Sequence, residues 1–217
     1  MYARLAEALS FRMEIALIDS RRRNASFGRE EDPVHSAMGE LEAAHLRARG
    51  FDVAIDEPYQ HYQFAGRADV IACSLTARAL LHIENRTRFP NLQESAGSYN
   101  AKRAYFAKIL AERLGIRGGF RSETHVLVGL WSAEILHVVR LMKATFASLC
   151  PDPIDRFEAW WGGRSPADGR SSTFMLLDPF ATGRERRYVD LDAAVATARP
   201  RMRGYADAAA RLGSGRV

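Results

Sequence analysis

Three acidic residues and one cation in this 217-residue chain have types and spacing suited to chemistry: Glu40, Asp69, Glu84 and Arg86. Glu84 and Arg86 are two apart in the segment Ala79-Leu80-Leu81-His82-Ile83-Glu84-Asn85-Arg86, which reads as a strand. Side chains two apart in a strand share a face, so Glu84 and Arg86 point one way and Ile83 and Asn85 the other. A carboxylate and a guanidinium then meet in one site. Carboxylates gathered there bind a hard divalent cation through oxygen, Mg²⁺ or alternatively Mn²⁺, and such an ion polarises a phosphodiester and acidifies the attacking water. A neighbouring positive side chain stabilises charge developing on phosphate.

The elements that must position these residues follow from periodicity. A helix is predicted from Ser36 to Arg49, capped by Ser36, stopped by Gly50 and carrying Glu40. Phe51-Asp52-Val53-Ala54-Ile55, Gly66–Cys73 and Ala79–Glu84 then read as three strands of a meander, with Asp69 on the second and Glu84 ending the third. Helical spacing returns from about Asn91 to Leu114. A buried strand follows over Thr124–Trp131, and a helix from Ala133 to Leu149 ends before Pro151. The expected fold is α/β (α+β), a mixed sheet of about four strands flanked by helices in the order α-β-β-β-α-β-α. Residues 1–33 are expected to form an N-terminal helix and linker, 34–150 the core, and 151–217 an extension packing on the core. That extension carries a short aromatic helix with Trp160 and Trp161, a strand at Phe174–Leu177 and a terminal Ala/Arg-rich helix.

On these residues the chain resembles a family. Gly66-Arg67-Ala68-Asp69-Val70, Glu84-Asn85-Arg86-Thr87, Leu92-Gln93-Glu94 and Asn100-Ala101-Lys102-Arg103 together look like a bacterial branch of the PD-(D/E)XK nuclease superfamily, over roughly residues 40–146. The resemblance implies a restriction-endonuclease-like core and a metal site of Asp69 and Glu84, joined by Glu40 from the first helix and Gln93 after the third strand. It departs from the family at the lysine of Glu-x-Lys, because Arg86 stands there. Arginine carries a permanent charge and cannot give up a proton as a base. Lys102, which matches a family lysine on the following helix, is expected to reach the site in its place.

Asn85 falls where a strand normally buries an apolar side chain, and a buried amide without partners costs roughly 1–3 kcal/mol. His82, two before Glu84, is read as a histidine beside the site in preference to a metal ligand. Tyr99, Tyr105 and Phe106 lie at helical spacing and read as core.

Composition narrows the function class. The net charge of +5 goes with 31 basic residues, of which only Lys102, Lys108 and Lys143 are lysine and 28 are arginine, the side chain suited to bidentate phosphate contacts. Cys73 and Cys150 are too far apart in sequence context to suggest a zinc or disulfide framework. No apolar run approaches the roughly 20 residues of a membrane span, and a cytoplasmic location is expected. Together these features lead to the expectation of a metal-dependent nuclease-like protein hydrolysing DNA phosphodiesters, with DNA preferred over RNA as partner. The altered motif leaves open a nuclease fold without turnover that acts as a nucleic-acid-binding or regulatory module, and a homodimer or protein partner is also left open.

Overall fold

A computed structural model describes residues 32–61, 64–182 and 185–214; the helix expected at the N-terminus lies outside the described residues. The first described helix, α1, spans Pro33–Ala48. Its cap is Asp32 and not Ser36: Asp32 Oδ1 accepts from the N–H groups of Val34 (3.1 Å) and His35 (2.9 Å), and Pro33, with its fixed φ, suits the first turn. Three strands follow, β1 (Asp52–His61), β2 (Phe64–Ser74) and β3 (Ala79–Arg86), joined antiparallel as the expected meander. Helix α2 (Leu92–Arg113) starts at the Asn91 cap and leads to β4 (Ser122–Leu130), parallel to β3.

The helix expected over 133–149 is two helices, α3 (Ala133–Leu141) and α4 (Lys143–Leu149), followed by α5 (Asp155–Trp161). Strand β5 (Gly169–Leu177) then lies parallel to β4, and β6 (Tyr188–Asp190) closes the sheet antiparallel to β5. Helices α6 (Leu191–Ala196) and α7 (Tyr205–Gly213) complete the described chain. The fold is α/β, a mixed sheet of six strands in the order β1-β2-β3-β4-β5-β6, with seven helices among the described residues. No helix among them is long and apolar enough to cross a membrane.

The six strands replace the four expected. Ser171 to Leu177 is buried throughout, as befits a parallel strand covered on both faces, so β5 belongs to the sheet interior. β6, three residues long, is too short to display a period.

The sheet's two faces determine where chemistry can collect. On β2 and β3, Val70, Ala72, Leu81 and Ile83 join the core that takes in Val34, Met38, Ala43 and Leu46 of α1. The alternate residues Ile71, Cys73 and Leu80 pack with Phe106, Ala107 and Leu110 of α2. By the period of two, Asp69, His82 and Glu84 face α2, while Asn85 faces α1.

Candidate functional site

The pairing along β2 is broken at Asp69 on both sides. The β1–β2 register passes from Ile55↔Val70 to Glu57↔Ala68 without pairing Asp56 and Asp69, and the β2–β3 register begins only at Val70↔Ile83. Asp56 has a left-handed backbone, φ 53°, at this break. The carboxylate of Asp69 takes over the open position: its Oδ2 accepts from the backbone N–H of Asn85 at 2.8 Å. His35 Nε2 of α1 lies 3.3 Å from the same oxygen, and the Arg86 guanidinium 3.5 Å.

Glu84 is fully buried and surrounded by donors. Lys102 Nζ reaches it from α2 at 2.6 Å to Oε1 and 2.5 Å to Oε2, His82 Nε2 donates to Oε1 at 2.9 Å, and Arg86 donates to Oε2 at 3.3 Å. Arg86 therefore bridges the two carboxylates, with a third bond to the carbonyl of Asn85 at 2.7 Å. Burial alone would raise the Asp69 carboxyl, but the His35 hydrogen bond and the charges of Lys102 and Arg86 outweigh it and hold the group below the usual carboxylate range. Burial and the nearby Asp69 likewise act to raise Glu84, and Lys102 with His82 pulls it down. Both acids are held ionised, with Arg86 and Lys102 set against them.

Behind Glu84, His82 Nδ1 shares a hydrogen bond with His125 Nδ1 of β4 at 3.1 Å, and His125 Nε2 is 3.4 Å from Glu123. Burial lowers His125 to about 4, so it is neutral at physiological pH. His82 is thus wholly buried against the site and orients Glu84 from beneath.

The six expected residues meet the structure in different ways. Asp69, Glu84, Arg86 and Lys102 form one cluster at the end of β2 and β3. Gln93 is exposed in the first turn of α2, and Glu40 is exposed on α1. The helix acid turned toward the sheet is Glu42. It lies in the row Val34, Met38, Glu42, Leu46, each four residues apart and each buried, so one carboxylate interrupts an apolar stripe. Glu42 Oε2 accepts from Asn85 Nδ2 at 2.8 Å, which gives the amide nitrogen its partner, while Asn85 Oδ1 and Glu42 Oε1 are buried without one. Burial is the main reason that Glu42 is raised to about 8, with Asp69 adding to it against the Asn85 hydrogen bond.

Among the described residues, no group of three or more His, Cys, Asp or Glu side chains is arranged to hold a metal ion. Two ionised carboxylates remain as a donor set, which suits Mg²⁺, an ion held by one or two carboxylates with water and substrate phosphate completing its shell. Their chemistry fits the ion; the bridging Arg86 occupies the space between them. A cavity of about 760 Å³ lies elsewhere, lined by residues that include His45, Glu158, Trp161, Arg187 and Tyr188, and none of the cluster lines it. Compared with known proteins, the chain matches no protein-family model and no curated protein.

Proposed function

We propose that the chain is a metal-dependent phosphodiesterase acting on DNA, built on a restriction-endonuclease-like core over residues 34–150. The observation that carries this reading is the meeting of Asp69, Glu84 and Lys102 in one buried cluster, the lysine arriving from α2 when β3 supplies Arg86. Asp69 and Glu84 would hold Mg²⁺ or Mn²⁺, while Glu40 and Gln93 are exposed. The ion, when bound, supplies Lewis-acid activation of phosphate and of water. Lys102 keeps Glu84 ionised and orients it, and its ammonium is the group able to hold a water at the scissile phosphorus. Arg86, released from its bridge, contacts the phosphate and stabilises the charge that develops there.

Calorimetric titration of Mg²⁺ and Mn²⁺ into the wild type and Asp69→Ala tests this, followed by incubation of the same samples with plasmid DNA. Metal binding and cleavage that both vanish in Asp69→Ala are expected. Cleavage that survives in the variant would remove Asp69 from the reaction.

One observation favours a second reading. Arg86 spans both carboxylates, so the two acids are already neutralised by Arg86 and Lys102. A fold held in that state binds nucleic acid or a protein partner without turnover. Under this reading neither metal gives a heat signal or product, and Arg86→Lys, which cannot span both acids, leaves the protein inactive. Gain of metal-dependent cleavage in Arg86→Lys would identify the guanidinium bridge as an inhibitory plug in an otherwise competent site.

A further inference from the structure

The pairing of β3 and β4 ends at Arg86↔Gly129, with Arg88 two residues beyond the first strand end and Trp131 two beyond Gly129. Residues 199–205, Arg-Pro-Arg-Met-Arg-Gly-Tyr, meet the residues after β4 through Arg201 and Met202, and Arg88 after β3 through Tyr205. Met202 forms a bridge with Ser132 and accepts from the Ala133 N–H at 2.8 Å, while the Arg201 N–H donates to the Trp131 carbonyl at 3.1 Å. The segment therefore borders the carboxyl ends of parallel strands, where ligands collect in open α/β sheets.

Two exposed arginines are held there by aromatic rings. The Arg88 guanidinium carbon is 4.3 Å from the Tyr205 ring centroid, and that of Arg201 is 5.1 Å from the Trp131 ring. A guanidinium held over a ring keeps its N–H edge pointed outward, and stacking restrains its orientation. The support is itself anchored: Asp32, the α1 cap, accepts from Thr87 Oγ1 at 2.6 Å and bonds the Tyr205 side chain. Among the described residues the arginines paired with carboxylates are Arg86, Arg113, Arg170 and Arg211. Arg88 and Arg201 are outside that set. The acids along this edge are occupied: Glu134 accepts from the Tyr205 N–H at 3.3 Å, and Asp207 from the Arg203 N–H at 2.9 Å with Arg211 beside it.

We propose that Arg88 and Arg201, carried on Tyr205 and Trp131, form a phosphate-binding rim that holds a nucleic-acid backbone alongside the Asp69–Glu84–Lys102 cluster. The inference rests on the reading of that cluster as a site for nucleic acid. Arg88 lies two residues past Arg86, the last residue of β3, so on this proposal the backbone passes that strand end close to the bridging guanidinium. Contacts of this kind fix position and carry no base information, so binding is sequence-independent and falls with salt.

The test is fluorescence anisotropy of a labelled DNA duplex with the full chain, in EDTA so that turnover plays no part, over a series of salt concentrations. Arg88→Gln/Arg201→Gln is expected to weaken binding at least tenfold near 0.1 M salt and to reduce the salt slope by about 2, one for each lost phosphate contact. Arg88→Lys/Arg201→Lys, which keeps the charge, is expected to retain the slope and so shows that the folded surface is intact. Arg117→Glu, in the loop before β4 at the opposite end of that strand, is the control for net charge. An unchanged affinity in the Gln variant, an equal loss in Arg117→Glu, or no DNA binding by the wild type would each overturn the rim. Arginine-dependent binding without metal-dependent cleavage would uphold the rim and defeat the phosphodiesterase reading.

Discussion

Lys102 Nζ donates to both oxygens of Glu84, at 2.6 and 2.5 Å, and the carboxylate has no exposure to solvent. The two residues are eighteen apart in sequence and come together only when α2 packs on β3. An ion pair of this kind gives up much hydration, so its members depend on one another more than the pair benefits the fold.

Removing one member should therefore be worse than removing both. Lys102→Met is expected to cost about 3–5 kcal/mol because Glu84 is left buried with less compensation. The double variant Lys102→Met/Glu84→Gln should recover most of that loss. Urea unfolding of the four members of the cycle measures the coupling, and a single variant within about 1 kcal/mol of wild type would contradict it.

Glu42 makes a prediction about alkaline conditions. The folded chain keeps its proton up to about pH 8, whereas the unfolded chain loses it near 4.5. Between those values the folded state binds one proton more, so stability falls as pH rises, by up to about 1.4 kcal/mol per pH unit, and levels off above 8. Glu42→Gln removes this contribution. Melting temperatures from pH 5 to 9 should slope downward more steeply in the wild type than in the variant; parallel curves would mean that Glu42 is ionised in the fold.

Asn85→Leu restores the apolar residue that the strand pattern calls for, yet it is expected to destabilise the protein by about 1–3 kcal/mol. It strips Glu42 Oε2 of its donor inside the core. Combining it with Glu42→Leu should return much of the loss, as chemical denaturation would show.

The site was readable where chemistry and period agreed. The alternation of β3 set Glu84 and Arg86 against Asn85, and the meander put Asp69 on the adjoining strand, as found. The likeness of residues 100–103 to a family segment pointed to Lys102. Glu40, expected from its place in the early turns of the helix, is exposed. Asking which helix residues share a stripe would have picked Glu42, from the four-residue spacing of Val34, Met38 and Leu46. Asn85 gave the same hint from the other side, since a buried amide must find a partner. His35 could not be read at all. Its approach to Asp69 depends on how α1 crosses the strand ends, a tertiary relation with no local signature. The strand expected at Phe174–Leu177 was not placed in the sheet because a run of Ser, Thr and apolar residues buried on both faces shows no alternation, and β6, three residues long, is too short to show a period.

Gly129 offers a test of the packing next to the site. A Cβ there would lie 2.9 Å from Leu176 Cδ2 and 3.0 Å from Ile135 Cγ2, both in the core. Gly129→Ala is expected to cost about 1–3 kcal/mol through overpacking, read from the shift in the denaturation midpoint. A neutral result would mean that Leu176 moves aside freely.

The break at Asp56 has a meaning beyond the carboxylate it releases. β1 is the long outer strand of the sheet, and an outer strand ten residues long is an open template for a neighbouring molecule. Here the left-handed turn at Asp56 interrupts the ladder in its middle, Pro58 lacks an N–H to offer, and Asp52 and Asp56 bring negative charge to the border. The same stretch that leaves Asp69 unpaired, with its carboxylate on the Asn85 N–H, thus also interrupts the edge onto which another chain could add a strand.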